Sequence, residues 1–141
     1  MTFLLDTNAV SEWVKPRPNS GLVAWLAEIE EDSVFLSVIT LAELRSGISS
    51  LAASRRRERL DRWLTHELPG RFERRILPIE ASIADQWGRL TAVAKAAGRP
   101  IHAMDAFLAA TARVHDLTIV TRDLSAFEPV RVPAFSPWSD S

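Results

Sequence analysis

The sequence contains no cysteine, so disulfides, cysteine-ligated zinc, iron–sulfur clusters and thiol nucleophiles are all excluded. An excess of charge is missing as well. Its 17 lysines and arginines stand against 18 aspartates and glutamates, a formal net charge of −1. That balance excludes a protein that coats nucleic acid by bulk electrostatics and makes any such contact a local one. No apolar run reaches membrane-spanning length, and the first residues lack the basic, apolar, small-residue order of a signal peptide. A soluble, cytoplasmic protein with no membrane association is expected. There is no G-x-S-x-G elbow, P-loop or G-x-G-x-x-G, which removes the obvious serine-hydrolase, NTPase and dinucleotide-binding classes. His66, His102 and His115 have no metal-ligand spacing, and no H-E-x-x-H occurs.

What is present has the length and composition of one globular domain over residues 1–141, with 47% hydrophobic and 25% charged residues. Periodicity predicts a strand from Thr2 to Leu5, then a helix from Asn8 to Val14 that the Lys15-Pro16-Arg17-Pro18 segment ends. Ser20 is the expected cap of a second helix whose apolar side is Leu22, Val23, Trp25, Leu26 and Ile29. A strand from Val34 to Ser37 leads to a helix from about Thr40 with the stripe Leu41, Leu44, Ile48 and Leu51. An amphipathic helix from Arg55 to Leu68 is predicted to stop at Pro69-Gly70, before a strand from Arg75 to Ile79. A long helix from Ala81 to Ala97 ends at Gly98, and another carries Asp105 and runs to about His115. Thr118 to Val120 and an extended Val130 to Phe135 complete the sheet. Strands alternating with helices imply an α/β fold, a mostly parallel central sheet covered on both faces, with sites outside the carboxyl ends of the strands.

Four acids fall where that crevice would form. Asp6 closes the apolar run Phe3-Leu4-Leu5, and Asp123 closes Leu117 to Arg122 in the same way. Glu43 stands one turn into its helix, and Asp105 has Ile101, Leu108, Ala109 and Ala112 as helical neighbours. Each has a structural excuse: Thr40-x-x-Glu43 is a capping-box pattern, Asp6 and Asp123 precede turns, and Asp105 suits a helix dipole. Together they resist that explanation, because carboxylates sharing one crevice repel and raise one another's pKa unless a cation neutralises them. An all-oxygen site favours Mg²⁺ or Mn²⁺. Thr7, Asn8 and Thr121 add neutral donors beside the acids, with Thr121 the first choice to touch metal or substrate. Arg122 is the arginine best placed for a phosphate. A hard cation in an open crevice suits phosphodiester hydrolysis. Because Asp6 is followed by Thr7-Asn8 and not by a second aspartate two residues on, an aspartyl-phosphate phosphatase is disfavoured.

The segments Leu4-Leu5-Asp6-Thr7-Asn8, Thr40-Leu41-Ala42-Glu43-Leu44-Arg45, Met104-Asp105-Ala106-Phe107 and Thr121-Arg122-Asp123 together resemble the PIN-domain ribonucleases. More narrowly, the chain is similar to the VapC-type toxins of VapBC toxin–antitoxin modules, including the FitB-like branch, down to the tail Phe135-Ser136-Pro137-Trp138. The resemblance covers nearly the whole chain, with no departure at the acidic positions. It implies a PIN-like three-layer α/β/α fold and an endoribonuclease in which Asp6, Glu43, Asp105 and Asp123 hold Mg²⁺ or Mn²⁺. It further implies single-stranded or structured RNA as substrate, a homodimer, and a cognate VapB-type antitoxin whose tail occupies the active-site groove, operator DNA being reached only through that antitoxin. The alternatives are a nuclease or phosphodiesterase acting on DNA, and a non-catalytic partner that braces an antitoxin on its operator.

Arg55, Arg56, Arg57, Arg59 and Arg62, with Arg71, Arg74 and Arg75, form a basic tract. Interleaving with Glu58, Asp61, Glu67 and Glu73 makes a solvated face the preferred expectation over an RNA path. Trp25, Trp63 and Trp87 fall on apolar stripes, so the tryptophans are expected mainly in the core or at an interface. His102, one turn before Asp105, is expected at a helix start.

Overall fold

The computed structural model describes residues 1–140. Among these, five short strands, β1 (Phe3–Leu5), β2 (Val34–Ser37), β3 (Ile76–Leu77), β4 (Thr118–Val120) and β5 (Ala134–Phe135), pair in the order β3-β2-β1-β4-β5. Every pairing is parallel, with Phe3 opposite both Val34 and Thr118. All three side chains of β1 are buried, as they must be in a central strand covered on both faces. Alternation along the strand sends Phe3 and Leu5 into one hydrophobic layer and Leu4 into the other.

The first layer is built from α1 (Thr7–Trp13), α2 (Ser20–Glu28), α3 (Val38–Ser49), α4 (Arg55–Arg62) and α5 (Leu68–Arg71), with Leu22, Leu44, Leu64 and Phe72 at its centre. The opposite layer is built from α6 (Ala81–Ala96) and α7 (Ala103–His115), whose Ile83, Leu90, Leu108 and Ala109 pack against Leu4 and Ile119. The result is the expected α/β/α sandwich. Trp25 meets Phe3 and Phe135 edge-on at 5.0 and 5.3 Å, and Trp87 stacks on Phe107 at 5.2 Å. The core placement of these two tryptophans is as the apolar stripes predict.

Several boundaries differ from the sequence expectation for identifiable reasons. The helix expected from Thr40 begins at Val38, because Ser37 ends the strand and caps the helix at once, its Oγ accepting from Ile39 N at 3.0 Å. Thr40 is therefore an interior, fully buried residue and the capping box does not form. Asn19, not Ser20, caps α2, its Oδ1 accepting from Gly21 N and Leu22 N at 3.0 and 3.2 Å. Pro69-Gly70 does not stop the helix before it. A wider π turn at Trp63–Glu67 carries the chain from α4 into α5, and Pro69 falls in the first turn of α5, where a missing N–H is tolerated. The extended segment expected from Val130 is shortened to β5, since Leu124–Val130 coils into a 3-10 helix ended by Arg131 at φ 52°. β3 is shorter than Arg75–Ile79. The Arg75 guanidinium folds under the chain, donating to the carbonyls of Glu31, Val34 and Arg71 at 2.5, 2.6 and 2.7 Å and lying over Phe72. Arg71 lies over Trp13 and pairs with Glu31 at 2.7 Å. These two arginines are structural clamps, a role the basic tract did not reveal.

Candidate active site

The carboxyl ends of β1, β2 and β4 lie side by side, so the residues just past them share one place. Asp6 follows β1 and caps α1, with Thr7 N donating to its Oδ1 at 2.6 Å. Glu43 projects from the second turn of α3, Asp105 from the first turn of α7, and Asp123 from the bend after β4. All four border a single open cleft of about 420 Å³, with Thr7, Asn8 and Arg122 beside them.

Each acid is held differently. Asp6 is only 7% exposed, and its Oδ2 accepts from Thr121 Oγ1 at 2.8 Å. Thr7 Oγ1 donates to Glu43 Oε1 at 2.6 Å and lies 3.2 Å from the Thr40 hydroxyl. This contact ties α1 to α3 across the cleft floor. Asp123 is exposed, makes no side-chain capping bond to the 3-10 helix after it, and accepts from Ser125 Oγ at 2.7 Å. Asp105 is half-buried behind the cap of α7, where His102 Nδ1 accepts from Met104 N at 3.4 Å. The capping explanation thus holds for Asp6 alone, and Asp6 is also the most buried of the four.

Burial pushes the Asp6 carboxyl up to about 6, against the lowering effect of the Thr121 and Thr7 bonds, and the charges of Asp105 and Glu43 push in the same direction. Asp105 is likewise raised, first by burial and then by Glu43 and Asp123, with His102 opposing. Mutual repulsion among the acids is therefore a property of the folded cleft. Among the described residues no three acidic or imidazole groups are already drawn together as a finished cage for one ion. The donor set fits a hard cation in its chemistry: oxygen ligands only, an open approach, and negative charge that the protein itself leaves uncompensated.

Thr121 is fully buried and does not border the cleft, a correction to its expected contact with metal or substrate. Its hydroxyl donates to Asp6 and accepts from Asp123 N at 3.0 Å and Asn8 Nδ2 at 3.2 Å, so it joins two acids from behind. Asn8 Oδ1 in turn accepts from Arg122 N at 3.2 Å. Ser11, Glu12, Lys15 and Trp138 also line the cleft, although the sequence did not mark them as site residues. The first three were findable, since Thr7, Ser11 and Lys15, and likewise Asn8 and Glu12, are i, i+4 neighbours on α1 and its continuation. Glu12 accepts from Lys15 Nζ and from Asn19 N, both at 2.9 Å. Lys15's bond, then Asn19 N and the Arg122 charge, hold its carboxyl below the usual range.

Trp138 arrives from the far end of the chain, and the tail that carries it lies on the start of α2. A Cβ at Gly21 would stand 2.4 Å from Pro137 O and 2.6 Å from Ser139 N, so only glycine admits the tail there. Gly21→Ala is expected to destabilise the protein by about 1–3 kcal/mol, as overpacking against backbone does, read as a lowered unfolding midpoint in urea. An unchanged midpoint would show that the tail does not contribute to the fold.

A match to the PIN domain family spans residues 3–131. The chain is 40% identical over 137 residues to Toxin FitB of Neisseria gonorrhoeae, which covers 97% of this chain and 99% of that one. With VapC ribonuclease Y4jK of Sinorhizobium fredii it shares 35% identity over 135 residues, 96% of each chain. Among solved structures, FitAcB from Neisseria gonorrhoeae superposes with a TM-score of 0.91 at 39% identity, over 97% of this chain and 99% of that one. FitAB bound to the IR36 DNA fragment gives the same TM-score at 36% identity, over 99% and 98%.

Proposed function

Because this chain belongs to the PIN-domain family, in the branch of the FitB and VapC toxins, we propose that it is a metal-dependent endoribonuclease, the toxin of a type II toxin–antitoxin system. The observation that carries the proposal is the single cleft bordered by Asp6, Glu43, Asp105 and Asp123, with Asp6 raised to about 6 and Asp105 raised in part by its acidic neighbours. In this reading the four acids hold Mg²⁺ or Mn²⁺. The ion would supply Lewis acidity to the scissile phosphate of RNA.

The chain's own groups have distinct tasks. Thr121 Oγ1 and Thr7 N fix both oxygens of Asp6, so its carboxylate is oriented before any ligand arrives. Thr7 does the same for Glu43 through its hydroxyl. Asn8 accepts from the backbone of Arg122 and so sets the loop that presents the Arg122 side chain at the rim, where a phosphate oxygen is its natural partner.

The relatives solved as FitAcB and as FitAB on DNA support a cognate antitoxin as partner, with operator DNA reached only through it. A homodimer belongs to the same reading. The proposed setting is the cytoplasm, and among the described residues no helix is long and apolar enough to cross a membrane.

The test is incubation of antitoxin-free protein with a mixed RNA pool and with DNA of matched sequence, in Mg²⁺, Mn²⁺ or chelator. RNA cuts that require metal, with DNA left intact, are the expected result. Cutting of DNA instead would replace the substrate assignment, and RNA cutting undiminished by chelator would remove the metal.

A further inference from the structure

The mouth of the cleft is built as one unit from two distant parts of the chain. Lys15 and Arg122 stand on its rim, and Trp138 is the aromatic residue among those that border it. The backbone on either side of Trp138 is pinned. Asn19 Nδ2 donates to Ser139 O at 3.0 Å while Asn19 Oδ1 accepts from Ser139 N at 3.0 Å, and Pro137 O is seated against Gly21. Asn19 N is itself held by Glu12, the partner of Lys15. The Trp138 side chain packs against the hydrophobic layer under β1 yet stays partly exposed to the cleft.

Acids alone repel a polynucleotide, so a strand entering this cleft needs compensation at its edge. Arg122 supplies it for the phosphates, Lys15 being already paired with Glu12, and a fixed indole supplies a face for a base. That combination is the one by which single strands are held with little regard to sequence. We propose that Trp138 is a substrate-binding residue on which an unpaired RNA base stacks as the strand enters the cleft. The inference rests on the ribonuclease function proposed above and adds to it a residue of this chain that holds the substrate, since a nucleotide free of its helix can present a base to the ring.

The test uses the full chain carrying Asp105→Asn, so that binding is read without cleavage. The probes are a short labelled oligoadenylate and the same ribose-phosphate strand without bases, followed by fluorescence anisotropy. The oligoadenylate is expected to bind about tenfold more tightly, the scale of one stacked base. Adding Trp138→Ala should weaken oligoadenylate binding to the level of the abasic strand and leave the abasic strand unchanged. Trp138→Phe, which keeps an aromatic face, should restore most of the difference and controls for folding. Equal weakening of both strands by Trp138→Ala would reduce the indole to a structural part and overturn the proposal. So would a base preference that survives the substitution, or none in the protein that retains Trp138. A parallel digestion of mixed RNA by protein with intact acids and Mg²⁺ separates the two layers of inference. Cleavage without base preference overturns the stacking role alone, whereas base preference with no cleavage of any RNA overturns the nuclease.

Discussion

Asp105→Asn is expected to lower metal-dependent RNA cleavage by about a thousandfold or more, because it removes one of the charges that would fix the ion and so several kcal/mol of transition-state stabilisation. Folding should be unharmed. Asparagine has the same shape, the residue is half-buried at the start of α7, and its carboxyl is already raised by burial and by the charges of Glu43 and Asp123. Losing that charge relieves repulsion. The check pairs single-turnover cleavage in excess Mg²⁺ with a thermal melt of the same sample. Wild-type cleavage by the variant would take Asp105 out of the site, and a collapsed melt would make it a structural residue.

The second large effect concerns stability and pH in metal-free protein. Asp6 carries a folded pKa of about 6 against an ordinary 3.8, so the folded state binds this proton more tightly than the unfolded chain does. The contribution is fully favourable below the unfolded value, is lost as pH rises through the folded one, and is flat above that. The loss is about 3 kcal/mol, set by a difference of about two pKa units. Asp6→Asn has no proton to lose, so wild type should weaken relative to this variant by about that amount between about pH 4 and pH 7. The variant's own offset, from one carboxylate acceptor exchanged for an amide donor facing Thr121 or Thr7, is independent of pH. Urea denaturation across that range isolates the pH-dependent part, and parallel curves for the two proteins would rule out a raised Asp6. Addition of Mg²⁺ or Mn²⁺ should reverse the trend for wild type alone, since ligation favours the deprotonated acid.

Much of this arrangement was legible in the sequence, and the limits are physical. β1, β2 and β4 could be read to within a residue because parallel strands covered on both faces carry runs of apolar residues, here Phe3-Leu4-Leu5, Val34-Phe35-Leu36 and Ile119-Val120. Asp6 could be read because a carboxylate directly after such a run is out of place, and Asp123 because it lies just beyond the end of β4. Caps were less legible. Ser37, Asn19 and Thr40 all have the right side chains, and which one caps depends on where the strand stops, a matter settled by pairing and not by local preference. Pro69 misled for the same reason: a proline ends a helix only where the N–H it lacks was needed. Thr121 looked like a ligand from its position, and only burial could show that it faces the back of Asp6. Trp138 stood in the tail that shares the resemblance, but nothing local tied it to the cleft, because the start of α2 on which that tail lies is at the other end of the chain. Gly21, seen alone, is simply a glycine in the first turn of a helix.

The order of the sheet also has a consequence in time. β1 precedes the other four described strands in the chain, yet it is the middle strand, and it stays unpaired on one side until β4 is made. Asp6 N donates to Val120 O, and the Asp6 side chain is held by Thr121, 115 residues away. Until β4 is made, a nascent chain therefore exposes an apolar strand edge and an Asp6 that lacks its Thr121 bond, and contacts of such long range are slow to form. Asp123 emerges just after Thr121. The cleft is thus finished in two stages: Thr7 can join Glu43 across its floor as soon as α3 is made, whereas the bond that aligns Asp6, and Asp123 itself, arrive only with the segment that follows β4.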